Sequence, residues 1–67
     1  MEITVNGSTR TVDVPSPDVA ALVRALGLAG KRIAVEKNGE IVPRGRHHEV
    51  VLQNGDRLEI VFAVGGG

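Results

Sequence analysis

Gly65-Gly66-Gly67 are the residues whose type and placing could do chemistry in this chain. They follow directly on an alternating run, Arg57 to Val64, that reads as a β-strand. With Gly67 last, the run presents a bare α-carboxylate on a thin stalk. Glycine has no Cβ, so such a stalk passes through gaps closed to other residues. Three extended residues span at most roughly 10 Å, enough to enter a narrow active-site channel while the folded body stays outside. An α-carboxylate has a pKa near ~3.5, so it is ionised at neutral pH and is a poor electrophile until a leaving group replaces its charge. Gly67 is therefore expected to carry the functional group, with Gly65 and Gly66 delivering it. The alternative is an inert chain end.

Other chemistry-bearing residues form no constellation. His47-His48 would point to opposite faces of a strand, and no third ligand lies at a suitable spacing, so both read as exposed loop histidines and no metal is expected. Asp13, Asp18, Glu40, Glu49 and Asp56 read as solvated surface. Ser8, Thr9 and Thr11 lack a base to activate them. Gly7, Gly39 and Gly55 follow asparagines in turns and are not followed by the Gly-Lys-Ser/Thr of a phosphate loop. Val61, Phe62 and Ala63 differ because they adjoin the glycines. Strict alternation sends Leu58, Ile60, Phe62 and Val64 inward and leaves Val61 and Ala63 out; a bulge after Ile60 would reverse the last part. Either way an apolar side chain stands exposed beside the tail and is a candidate for partner docking.

The elements that must position the tail are short. Sixty-seven residues make one domain with a small core. There is no cysteine, which excludes disulfides and thiolate metal sites. Eight basic and eight acidic residues give zero net charge, and Phe62 is the one aromatic, so a nucleic-acid partner is not expected. No run resembles a signal peptide or a membrane span, so a cytoplasmic protein, monomeric when free, is the expectation.

Glu2 to Asn6 and Arg10 to Val14 alternate around Asn6-Gly7-Ser8, the pattern of a hairpin. Ser16 as N-cap and Pro17 as first residue open a helix to Leu26, whose stripe is Val19, Leu22, Val23 and Leu26. Gly27 sits where a left-handed cap belongs, with Leu28 folding back onto Val23. Lys31 to Lys37 and Glu40 to Val42 flank the Asn38-Gly39 turn. Arg44 to Glu49 reads as loop, Val50 to Leu52 as a short strand, and Asn54-Gly55-Asp56 as a turn into the last strand. The expected core is Ile3, Val5, Val12, Val14, Val19, Leu22, Val23, Leu26, Ile33, Val35, Leu58 and Ile60. This order predicts an α+β domain over 1–64 with a flexible tail over 65–67. Its architecture is the β-grasp, or ubiquitin-like, fold: a mixed sheet of four to five strands, the first and last parallel at its centre, with one principal helix on one face.

Three stretches carry a family resemblance: Asn38-Gly39-Glu40-Ile41-Val42-Pro43-Arg44, Asn54-Gly55-Asp56-Arg57-Leu58-Glu59-Ile60-Val61, and Ala63-Val64-Gly65-Gly66-Gly67. With the hairpin beginning Ile3-Thr4-Val5-Asn6-Gly7, they resemble the thiamin-biosynthesis sulfur carriers of the ThiS family over essentially the whole chain. Phe62 departs from the family pattern, which is often polar there. The resemblance implies a protein co-substrate and not an enzyme, with no bound cofactor. A ThiF-type adenylyltransferase would use ATP to convert the Gly67 carboxylate into an acyl-adenylate. A cysteine desulfurase would supply sulfur, giving a thiocarboxylate, and thiazole synthase would accept that sulfur. The same terminus would serve a carrier for molybdopterin or cysteine synthesis or a ubiquitin-like modifier of lysines. A β-grasp binding module with inert glycines would not need it.

Overall fold

Three Asn-Gly turns set the frame. The computed structural model describes residues 1–13 and 17–63. Asn6 and Gly7 both take positive φ, 49° and 83°, as do Asn38 and Gly39, 53° and 87°. Two successive left-handed residues make a two-residue hairpin turn whose twist matches that of the strands. The first turn joins β1 (Glu2–Val5) to β2 (Ser8–Thr11), and the second joins β3 (Ile33–Lys37) to β4 (Glu40–Val42). So tight a turn starts β2 at Ser8, not Arg10. Val12 follows the strand half-buried, and Val14 and Ser16 lie outside the described residues.

β5 (Arg57–Phe62) is the central strand of the order β2-β1-β5-β3-β4. It runs parallel to β1, with Thr4 opposite Arg57 and Val5 opposite Leu58. It runs antiparallel to β3 from Lys37↔Leu58 to Ile33↔Phe62. The β-grasp expectation is met, with five strands.

The helix α1 (Val19–Ala25) is shorter at its start than the sequence suggests. Asp18 is the N-cap, its carboxylate accepting from the Ala21 amide at 2.7 Å, and Pro17 lies before the helix. The carboxylate captures one of the amides that a helix start leaves without partners. At the other end Gly27 has φ 75°, Gly27 N donates to Arg24 O and Leu28 N to Val23 O, the two bonds of a Schellman cap.

One face of the sheet packs on this helix. Ile3, Val5, Val35, Leu58 and Ile60 meet Val19, Leu22 and Val23, all at most 7% exposed. Val42 and Leu52 complete the core, and Val12, Leu26 and Ile33 are only partly buried around it. Val42 and Leu52 stand outside the expected core, and the short strand expected over residues 50–52 does not form. Instead a strap holds the helix start: Val19 N donates to Val50 O, Ala20 N to His47 O, Leu52 N to Pro17 O, with one isolated bridge between Asp18 and Val51.

Two surface assignments are corrected. His47 is buried; its Nε2 lies 3.3 Å from the Val42 carbonyl, after a single 3₁₀ turn at Arg44–Arg46, while His48 is exposed. Asp56 is also buried and closes the end of the sheet at the start of β5. Its Oδ2 accepts from Gln53 N at 2.8 Å and lies 3.7 Å from Lys37 Nζ, and its Oδ1 accepts from Asn38 Nδ2 at 3.0 Å. Burial raises the pKa of this carboxyl, but the Gln53 amide, the Asn38 side chain and the Lys37 ammonium outweigh it and hold it below its ordinary value of 3.8.

Candidate functional site

The site is the place where the central strand leaves the sheet. Three contacts fix the point at which the chain leaves the sheet. Asn6 Oδ1 accepts from Ile60 N at 2.7 Å, and Asn6 Nδ2 donates to Ile60 O at 2.9 Å. The side chain thus extends the β1 ladder one step past the end of its strand. On the other flank β3 pairs Ala34 with Val61 and Ile33 with Phe62. Beyond the last strand residue, Ala63 N still donates to Arg32 O at 2.9 Å. The backbone is therefore clamped through Ala63. Val64, Gly65, Gly66 and Gly67 lie outside the described residues.

Apolar side chains surround this exit. The β3–β5 register is continuous, so there is no bulge after Ile60. Val61 stands on the outer face, 58% exposed, beside Ala34. Phe62 is on the helix side, as strict alternation requires, yet is 62% exposed. The reason is geometric: α1 ends at Ala25, and Gly27 turns the chain away before it can cover the last rung. Phe62 overhangs a shallow depression shared with Leu26, Leu28 and Ile60. Ala63 is exposed as well. The three residues singled out in the sequence thus stand together, with apolar surface on both faces of the sheet. Isolated exposed apolar residues are ordinary, but these are contiguous and adjoin the tail.

Asn6 was read from sequence only as a turn residue. Its positive φ was legible in the Asn-Gly pair. Its partner, 54 residues away, becomes a neighbour only through the parallel β1–β5 pairing. The remaining candidates do not join the site. Ser8, Thr9 and Thr11 lie on the edge strand β2, and His47 belongs to the strap, its carbonyl accepting from Ala20 N. Among the described residues no three His, Cys, Asp or Glu side chains could share a metal ion, and no helix is long and apolar enough to cross a membrane.

Comparison with known proteins places this geometry in company. A model of the ThiS family matches residues 3–67, the glycine triplet included. The sulfur carrier protein ThiS of Bacillus subtilis is 46% identical over 46 residues, 69% of this chain and 70% of that protein. The crystal structure of the thiamine biosynthesis protein ThiS from Geobacter metallireducens superposes with a TM-score of 0.86 at 38% identity, covering 100% of both chains. The thiazole synthase of Paramagnetospirillum magneticum is 42% identical over all 67 residues, yet the chain spans only 20% of the length of that relative.

Proposed function

This chain belongs to the ThiS family, and we propose that it carries sulfur for thiamin biosynthesis on the C-terminal carboxylate of Gly67. One observation supports the reading above the others: the family match runs through the glycine triplet, and the strand before it is clamped on both sides to Ala63.

The chemistry follows from the carboxylate. As an anion it resists attack by a nucleophile. Transfer of AMP from ATP, with loss of pyrophosphate, masks the charge and installs a leaving group. Persulfide sulfur then attacks the carbonyl and AMP departs. A thiol as reductant then attacks the enzyme-side sulfur of the resulting acyl disulfide, so the S–S bond breaks, a new disulfide forms between that thiol and the sulfur donor, and the thiocarboxylate leaves, a better nucleophile than the original group. No step takes a side chain from this protein, so it acts as a co-substrate. A ThiF-type adenylyltransferase supplies the activation, a cysteine desulfurase the sulfur, and a thiazole synthase accepts it. The match to a thiazole synthase over the whole of this chain supports that acceptor. Val61, Phe62 and Ala63 dock these partners: they hold the body at the channel mouth while Gly65, Gly66 and Gly67 reach inside. Productive positioning tolerates little error, since a displacement of 1 Å can cost about 100-fold in rate.

The test is an intact mass of the protein isolated from its own cells under non-reducing, thiol-free conditions. A species with sulfur in place of one terminal oxygen supports the carrier. Isopeptide-linked conjugates without that species would favour a lysine modifier instead.

A further inference from the structure

Zero net charge conceals a strong separation of charge. The eight basic residues are Arg10, Arg24, Lys31, Arg32, Lys37, Arg44, Arg46 and Arg57. Lys37 pairs with Asp56 and Arg46 with Glu49, while Arg57 opens β5 at the end remote from the tail. Four of the other five gather on the β3 side of the exit. Arg32 is the backbone partner of Ala63. Lys31 adjoins it, and Arg44 Nη2 donates to the Lys31 carbonyl at 2.7 Å, which fixes the two cationic loops side by side. Arg24 lines the same hollow as Lys31 and Arg44. On the other flank Arg10 pairs with Ile3, towards the remote end of the sheet, and lines the depression beneath Phe62.

All five side chains are exposed, and among the described residues none has a carboxylate partner. Asp13 lines a neighbouring hollow with Arg10 without an ion pair between them, and most other carboxylates lie away from the exit. Asp18 caps the helix start, Asp56 is buried at the far end, and Glu36 and Glu59 face each other behind Ala34 and Val61 on the outer sheet face. Cations held together without partners repel one another, which disfavours the free fold slightly; an opposing acidic surface removes that cost. The arrangement has the form of a rim: a small apolar centre at Phe62 and Ala63, with positive charge on both flanks. Such surfaces accelerate encounter and fix orientation more than they add affinity.

We propose that Arg10, Arg24, Lys31, Arg32 and Arg44 form a basic rim that docks onto a carboxylate-lined channel mouth in the activating enzyme and aligns the tail with the channel. The proposal rests on the carrier reading. It assigns the partner's chemistry and separates the residues that guide the tail from those that carry sulfur. The rim guides through long-range attraction, so its effect is screened once the Debye length falls below about 8 Å near physiological salt.

The experiment measures pyrophosphate release by the adenylyltransferase of the same organism, with the full chain as substrate, from low to high ionic strength. For the double variant Lys31→Glu/Arg32→Glu, kcat/KM should fall tenfold or more at low salt, through KM for the carrier, with kcat within about twofold of the original. Its deficit should shrink as salt rises. Arg10→Glu, on the opposite flank and away from the Ala63 contact, should show the same pattern more weakly. Arg57→Glu makes the same charge change at the remote end and should stay close to the original protein; thermal melts check that each variant folds. Unchanged kcat/KM in both rim variants, a loss equal to that of Arg57→Glu, or a rise in KM for ATP would overturn the rim and leave the carrier reading intact. Absence of pyrophosphate release from the unmodified chain at every salt would overturn the carrier reading and the rim with it.

Discussion

The two ends of strand β5 are built to opposite plans. At its start, Asp56 is buried beneath Lys37 and accepts from Gln53 and Asn38, Asn38 Oδ1 accepts from Arg57 N, and Asn54 Oδ1 accepts from Glu2 N. Polar groups there satisfy one another, and Lys37 offsets the charge of the buried Asp56. At its finish, the backbone is held as firmly by Asn6 and β3, but the side chains Val61 and Phe62 are exposed and, among the described residues, the nearby cations have no carboxylate partners. Both ends use an asparagine in a two-residue turn as a clamp. They differ in what lies outside the clamp. One end completes the fold; the other leaves apolar and charged groups exposed.

Replacement of the core between the two ends should break both at once. Leu22 is 3% exposed under the sheet, and Leu22→Ala should cost on the order of 2–5 kcal/mol, read by chemical denaturation. A loss under 1 kcal/mol would show that the helix contributes little to holding either end.

Change at the closed end should lower stability and leave tail chemistry alone. Asp56→Asn retains the shape but loses the ion pair and sets an amide against donors, at about 1–3 kcal/mol. Its effect depends on pH. The folded carboxyl has its pKa depressed, so its contribution is complete above the unfolded value and is lost as pH falls through the folded value. The gap between the original protein and Asp56→Asn should therefore be full at neutral pH and close below about pH 4. A gap that widened in acid would contradict the assignment.

A cut at the clamp of the open end should have a smaller effect on stability and a clear one on the tail. Asn6→Gly keeps a residue at ease with positive φ while removing both bonds to Ile60, at about 1 kcal/mol. Hydrogen exchange should quicken at Ile60 with little change at Leu58. Equal exchange at both would mean that β1 alone holds the strand.

The least effect on folding belongs to the exposed patch. Val61→Asp should shift stability by about 0.5 kcal/mol or less, yet weaken adenylation through KM, a defect relieved by more enzyme. Unchanged KM would remove Val61 from the docking surface.

How far the sequence foretells these two ends follows from the range of the interactions. The turns, the helix stripe and the parallel pairing of first and last strands were legible because each follows from local pattern or from the need to bury one face. The burial of Asp56 and His47 was not, since each depends on groups brought close by folding: Lys37 and Asn38 for one, Val42 and the helix start for the other. The N-cap moved from Ser16 to Asp18 because the strap pairs Asp18 with Val51 and fixes where the helix begins. At the open end, alternation placed Phe62 on the correct face, but its exposure was set by the helix stopping at Ala25. The glycine triplet was legible by type alone.

The most direct test of the central claim is loading of a chain that ends one residue early. Deletion of Gly67 leaves every described contact in place and draws the carboxylate back by about 3.5 Å. With the cognate adenylyltransferase, ATP and a sulfur donor, intact mass should show thiocarboxylate on the full chain and none on the shortened one, while both melt at the same temperature. Normal loading of the shortened chain would contradict the assignment of Gly67 as the group that carries sulfur.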